Sequence, residues 1–170
     1  FAFVDGERVS PMVAAYDYKQ VGDGDTGPNT GGMGSFSTPQ FWTEALEHRI
    51  RTEIMEPVTR AMAARGTPYR GVLYGGLMLT ANGPKVLEFN CRLGDPETQV
   101  ILPRLNTDLV DIMIRTVEGR LYGASIEWAQ SSCVGIVVAS GGYPGDYATG
   151  YPIEGLDGLD NDVMVFHAGT

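Results

Sequence analysis

The chain has 170 residues, 43% of them hydrophobic, and a formal net charge of −9. That length suits one domain, or one and part of a second, and the apolar content supports a core and excludes wholesale disorder. The acidic balance, with no Lys/Arg cluster, excludes a nucleic-acid binder, and no run approaches the roughly 18 apolar residues of a membrane span.

Residues 1–15 (FAFVDGERVSPMVAA) predict a hairpin, with two apolar runs around the Asp5-Gly6 turn pair. The chain opens on the strand-like FAFV without a Met or a signal peptide and stops at FHAGT, just after the strand-like VMVF. Unpaired strands expose their ladder groups, so the sequence is expected to be a segment of a longer protein.

Residues 22–34 read GDGDTGPNTGGMG. A literal G-x-G-x-x-G is present, but Pro28-Asn29-Thr30-Gly31-Gly32 cannot open the helix that a dinucleotide site requires. A phosphate-binding P-loop fails because Met33 stands where Lys is needed, and a calcium loop fails because Gly34 replaces the bidentate Glu. Two readings stay open: a flexible surface connector, and a backbone shaped against a ligand, with Asp, Asn and Thr spaced for hydrogen bonding.

A helical region is expected from the Ser37-Thr38-Pro39 cap to about Arg65, with Leu46, Ile50, Ile54, Val58 and Met62 spaced by four. Pro57 predicts a kink or break, and Gly66 a stop. Strands are predicted over 69–80 and 85–91, separated by an Ala-Asn-Gly-Pro turn. A helix capped by Asp108 runs to Gly119, with Leu109, Ile112, Met113 and Val117 expected inward. The β-branched run SCVGIVVAS and the turn-rich GGYPGDYATGYP then place a domain boundary near residue 125.

The second of the paired strands carries the chemistry. Side chains alternate along a strand, so Val86, Glu88, Asn90 and Arg92 are expected on one face and Lys85, Leu87, Phe89 and Cys91 on the other. Glu and Asn offer hard oxygen ligands of the kind Mg²⁺ prefers, and Arg suits phosphate oxygens, an arrangement familiar from phosphoryl transfer. The plainer reading is an amphipathic strand with a polar outer face. Cys91 reads as a small buried hydrophobe, His48 as solvated surface and His167 as a structural residue ending a strand. Two cysteines make no disulfide framework, which points to a reduced, intracellular setting.

Taken together, GPNTGGMG and GPKVLEFNCRLGDPETQ, with GTPYRGVLYGGLML, LPRLNTDL, ASGGYPGDYATGYPI and VFHAGT, closely resemble the glycinamide ribonucleotide synthetases (phosphoribosylamine–glycine ligases), a family of ATP-grasp enzymes of purine biosynthesis. The resemblance covers nearly the whole chain. It departs at Asp17-Tyr18-Lys19-Gln20, where the family usually has Asp-His-Lys-Arg, and at Leu93, where it has Phe. An α+β fold is implied. Residues 1–124 are expected to be the rear part of the ATP-grasp module, an antiparallel sheet with flanking helices, and 125–170 the start of a small β-rich C-terminal domain.

The resemblance further implies a cytoplasmic ligase acting on glycine, 5-phosphoribosylamine and ATP, with no nucleic-acid or membrane partner. Glu88 and Asn90 would hold Mg²⁺ or Mn²⁺, and Arg92 would be catalytic. Asp25, Asn29, Thr30, Gly31 and Gly32 are expected to bind phosphoribosylamine, the consecutive glycines through a nest of backbone N–H groups and Asp25 and Asn29 through the ribose hydroxyls or the amine. The nucleotide-gripping lid and the N-terminal domain would be other parts of the same polypeptide, so the segment alone is expected to be inactive. A different ATP-grasp carboxylate–amine ligase is disfavoured because residues 73–79 carry no acid. A non-catalytic relative is disfavoured because Glu88, Asn90 and Arg92 are intact.

Overall fold

The computed structural model describes residues 1–170 and begins with strand β1, Ala2–Asp5. The Asp5-Gly6 turn forms as the sequence predicts: Asp5 Oδ1 accepts the N–H groups of Glu7 (3.2 Å) and Arg8 (2.9 Å), and Gly6 takes a φ of +103°. The returning arm is only a partial strand. It follows β1 through a bridge at Val4–Val9 and an N–H from Ser10 to Phe3 O at 2.9 Å.

Two short strands, β2 (Tyr16–Asp17) and β3 (Gln20–Gly22), lead into β4 (Thr26–Asn29) and β5 (Gly34–Ser37). Helix α1 then covers Glu44–Ile50. Its cap is Thr43, whose hydroxyl accepts the Leu46 N–H at 3.2 Å, and not the Ser37-Thr38-Pro39 stretch. Ser37 is fully buried in β5 and its hydroxyl donates to Ala14 O, so it has no cap to offer. A π-helical turn, Arg51–Met55, connects α1 to α2, Glu56–Ala64. Pro57 supplies the reason: its ring has no N–H and crowds the preceding turn, so the ladder widens just ahead of it. Gly66, at φ +78°, ends α2 with its N–H on Ala63 O and that of Thr67 on Met62 O, a Schellman stop.

Strands β6 (Arg70–Thr80) and β7 (Gly83–Asn90) form the long hairpin expected from the sequence. Short α3 (Thr98–Ile101) and a 3₁₀ turn (Leu102–Arg104) precede α4, Leu109–Glu118. Helix α4 has the predicted Asp108 cap, accepting Asp111 N–H at 3.0 Å, and Gly119 closes it at φ +72°. The last strand, β8, is Cys133–Ile136.

The sheet order β1-β6-β7 makes β6 the central strand and leaves β7 at one edge, while β1, at the other edge, is buried along its whole length. Alternate β1 residues split between two cores. Ala2 and Val4 join Met12, Ile50, Met55 and Leu73 under α1 and α2, whereas Phe3 joins Ile112, Leu121 and Ile126 under α4. A second sheet, β2-β5-β8, packs on α3 through Val13, Val100 and Ile101, and β3-β4 is a separate two-stranded hairpin.

Three expectations change. Met113 and Val117 of α4 are exposed, and Thr116 takes the inward place beside Ile112. Cys91 is exposed, because no element covers that side of the edge strand. The VMVF run at 163–166 is not a strand, and His167 beyond it is exposed, since no neighbouring strand pairs with it. The composition break near 125 precedes the break in packing. Arg104, only 6% exposed, donates to Ser131 O (2.7 Å), Ala129 O (2.7 Å) and Ser37 Oγ (2.6 Å), and β8 adds to β5. Regular strand pairing ends at Ile136, and the later residues are mostly exposed. No helix is long and apolar enough to cross a membrane.

Candidate functional site

Strand β7 brings Glu88 and Asn90 together. Asn90 lies opposite Tyr74, and Glu88 opposite Gly76, where a Cβ would come to 3.2 Å from Glu88 Cγ. Asn90 Nδ2 donates to Glu88 Oε1 at 3.0 Å. The register shifts beside them, pairing Gly76 with Glu88 but Leu77 with Val86, so Leu87 is an extra residue. A bulge of this kind resets the alternation. Val86 therefore leaves the polar face expected from strict alternation, and Glu88 and Asn90 keep it. Arg92 stands past the strand end, exposed, with its Nη1 on Leu93 O at 2.9 Å.

Asn90 turns its amide nitrogen to Glu88, which leaves Asn90 Oδ1 and Glu88 Oε2 as two hard oxygens on one strand face. No three His, Cys, Asp or Glu side chains converge as a closed metal cage. An open pair of oxygens fits Mg²⁺ or Mn²⁺, since Mg²⁺ ordinarily takes one or two protein ligands and completes its shell with waters and substrate phosphates.

Sequence reasoning missed the residues behind this face. Glu97 is 2% exposed; its Oε1 accepts the Tyr74 hydroxyl at 2.6 Å and its Oε2 has no hydrogen-bond partner. The Asp17 side chain is 8% exposed; the Lys19 ammonium lies against Oδ2 as an ion pair, and Oδ1 has no hydrogen-bond partner. Burial pushes the Asp17 carboxyl up from its ordinary 3.8; the Lys19 contact opposes this, and the charges of Glu97 and Asp95 add to it. Burial likewise raises the Tyr74 hydroxyl, followed by its bond to Glu97 and the charges of Glu97, Asp17 and Glu88. Asp17, Tyr74, Glu88 and Glu97 thus share one electrostatic neighbourhood. The available signal was the dense GDPETQ loop, which places Glu97 just before α3.

The glycine-rich segment is mostly an ordered hairpin. Strands β3 and β4 pair Gln20 with Asn29 and Gly22 with Thr26, and Asp25 occupies the exposed tip at φ 58°. Thr30, Gly31 and Gly32 form its base. At about 3.3 Å per extended residue, tip and base stand on the order of 20 Å apart. The base N–H groups already have partners within the chain: Thr30 N–H on Lys19 O, Gly31 N–H on Tyr143 Oη and Gly32 N–H on Thr30 Oγ1. They do not converge as a free nest. Gly32, at φ +133°, lies against Pro96, and a Cβ there would come to 2.8 Å from Asp17 Oδ1. The base therefore abuts the GDPETQ loop.

That loop also borders an open cavity of about 560 Å³, lined on one side by Gly94, Asp95 and Thr98 and on the other by Met164, Phe166 and His167.

The model of the phosphoribosylglycinamide synthetase ATP-grasp (A) domain matches residues 1–98. The phosphoribosylamine–glycine ligase of Halalkalibacterium halodurans is 51% identical over 99% of this chain and 39% of its own length. That of Escherichia coli O6:H1 is 51% identical over 98% of this chain and 39% of its own. Among solved structures, the phosphoribosylamine–glycine ligase of Thermotoga maritima superposes with a TM-score of 0.75 at 35% identity, over 91% of this chain and 40% of that one. The chain spans about two fifths of the length of these relatives. Its α+β architecture is that of the ATP-grasp fold. The chain belongs to the phosphoribosylglycinamide synthetase family.

Proposed function

We propose that this chain supplies the metal-holding strand and the phosphate-facing arginine of a phosphoribosylamine–glycine ligase. In the overall reaction ATP, glycine and 5-phosphoribosylamine give glycinamide ribonucleotide, ADP and phosphate. The observation that carries the reading is the Glu88–Asn90 pair, two hard-oxygen side chains in contact on an open strand face, in a chain about half identical to ligases of that name.

In this reaction a glycine carboxylate oxygen attacks the γ-phosphorus, releasing ADP and forming a glycyl phosphate. The amine nitrogen of phosphoribosylamine then attacks the acyl carbon, the C–O bond to phosphate breaks, and the nitrogen loses its proton. Bound at Glu88 and Asn90, Mg²⁺ or Mn²⁺ supplies Lewis-acid charge stabilisation to the phosphates. Glu88 and Asn90 fix where that charge sits, and Tyr74 and Gly76 opposite them define the space around both side chains. Arg92 presents a planar fork to the oxygens of the transferring group, where its charge counts most as the phosphoryl group moves.

Residues 29–32 at the hairpin base are our candidates for the phosphoribosylamine contact, and Asp25, at the far tip, lies beyond reach of the same small molecule; the support is the packing of Gly32 against Pro96 beside the metal strand. We assign residues 1–124 to the rear of the ATP-grasp module and 125–170 to the start of the C-terminal domain. The lid and the N-terminal domain would come from the rest of the polypeptide, which the greater length of the relatives supports. Two unpaired cysteines accord with a cytoplasmic setting.

The test uses the complete enzyme and glycine labelled with heavy oxygen in its carboxylate. One labelled oxygen should pass to the inorganic phosphate released. Unlabelled phosphate, with product formed, rules out the acyl phosphate route.

A further inference from the structure

The two faces of the sheet β2-β5-β8 are covered unequally. Ser35 and Gly135 face α3 and the loop before it: Ser35 Oγ donates to Pro96 O at 2.9 Å, and a Cβ on Gly135 would come to 2.9 Å from Val100 Cγ1. The register fixes the other face. Tyr16 lies opposite Phe36, Phe36 opposite Val134, and Gly34 opposite Ile136. Tyr18 joins them, with its N–H on Gly34 O at 2.9 Å and its ring 5.0 Å from that of Tyr16. The Tyr16 ring also stacks on Phe36 at 5.5 Å and meets Phe41 edge-on at 6.3 Å.

This second face carries no charge, and it is bare. Exposure climbs along β8 from Val134 (71%) through Ile136 (82%) to Val138 (94%). An antiparallel sheet with one face on the core ordinarily turns polar residues to water on the other. A face that is apolar across all three strands belongs to an inner layer, and a contiguous exposed apolar patch marks a binding surface.

The position of the face points to what covers it. Val137 N–H bonds to Met33 O at 3.0 Å, so β8 follows β5 to its end, and the face is barest where the chain leaves the body. Residues 139–170 add no strand to the sheet and leave the face open. They also carry exposed apolar side chains of their own, such as Ile153, Val163 and Val165, so this part of the chain lacks a core. A second copy is a poor occupant, because each copy brings a net charge of −9 to the contact.

We infer that this face is an interdomain surface, covered in the complete enzyme by polypeptide that follows Thr170, laid as one apolar layer across β2, β5 and β8. This rests on the reading above, in which residues 125–170 open a C-terminal domain. The layer ties that domain to the ATP-grasp body through Tyr16, Tyr18 and Phe36 as well as through β8. Asp17, between the two tyrosines, points the opposite way, so the layer backs the strand that carries it.

The experiment uses the complete enzyme, unaltered, with hydroxyl radicals as the probe. Oxidation of Tyr16, Tyr18 and Phe41, read by mass spectrometry, should be at least about tenfold slower in the folded enzyme than in urea, since a covered apolar side chain keeps under about a tenth of its surface. On a bare face their exposures of 38%, 46% and 45% would slow oxidation only about two- to threefold, and that result overturns the cover. Tyr18→p-benzoylphenylalanine then identifies the occupant. Illumination should join position 18 to a peptide from beyond Thr170. A cross-link to a peptide preceding Phe1, to a second copy, or to nothing overturns the assignment. An enzyme that meets both expectations yet ligates no glycine overturns the ligase reading and leaves the surface standing.

Discussion

Asn90 gives its amide nitrogen to Glu88 Oε1 at 3.0 Å, so the two side chains orient one another before any cation arrives. The bond fixes which atom of the amide faces outward. It also accounts for the glycine opposite: a side chain at Gly76 would press on Glu88 Cγ.

In the complete enzyme, Glu88→Gln and Asn90→Ala should weaken metal-dependent turnover while the fold survives. Glu88 is exposed and Asn90 half-buried, so each change should cost less than about 1 kcal/mol of stability. Mn²⁺ binding followed by electron paramagnetic resonance should weaken in parallel. Normal metal affinity in either variant removes that residue from the site.

Arg92→Lys should lower kcat more than it raises any KM. The charge survives but the planar fork does not, and the contact strengthens as the phosphoryl group moves. A raised substrate requirement at an unchanged rate assigns Arg92 to ground-state binding instead.

The hairpin pair β6–β7, the cap of α4 and the stop at Gly66 were legible because each is written locally, in a turn pair, an Asp before an apolar run, and a glycine at a helix end. The inward face of α4 was not. Val110, Met113, Ile114 and Val117 are apolar yet at least half exposed, so the helix carries more than one apolar stripe and periodicity cannot choose between them. Thr116 wins the inward place because its hydroxyl is satisfied by Ile112 O at 2.8 Å. Glu88 and Asn90 were legible from alternation. Asp17 and Glu97 were not, since their meeting depends on a tertiary fold that sets β2 beside the loop after β7.

Gly32→Ala should destabilise the protein by about 2–4 kcal/mol, from a left-handed backbone and from overpacking against Pro96 and Asp17. Gly31→Ala meets only the Tyr143 hydroxyl, at 3.5 Å, and should cost less than about 0.5 kcal/mol. Urea midpoints compare them directly. Equal midpoints would mean that the hairpin base does not pack on the GDPETQ loop.

Arg104→Ala should loosen residues 129–136 from the body. Its guanidinium satisfies two carbonyls and a buried hydroxyl, and stranding buried acceptors costs at least about 2 kcal/mol. Hydrogen exchange should quicken at the β8 amides while the β6–β7 amides keep their protection. Uniform quickening throughout would show that Arg104 supports the whole fold and not this attachment.

Asp17 gives the pH dependence its sign. Its carboxyl is raised in the folded state, chiefly by burial, so the folded protein binds that proton more tightly than the unfolded chain. The ionised group therefore costs stability at neutral pH, where both states are charged. That cost disappears as pH falls through the raised value toward the ordinary 3.8, where both states become protonated. Asp17→Asn carries no such titration. The stability of the parent relative to the variant should accordingly rise on acidification, opposite to the loss shown by a carboxylate whose pKa folding lowers. Urea unfolding of both proteins from neutral pH down to the carboxylate range gives the difference, in which the titrations they share cancel. A difference that stays flat, or moves against the parent on acidification, shows that the Lys19 ion pair outweighs the burial of Asp17.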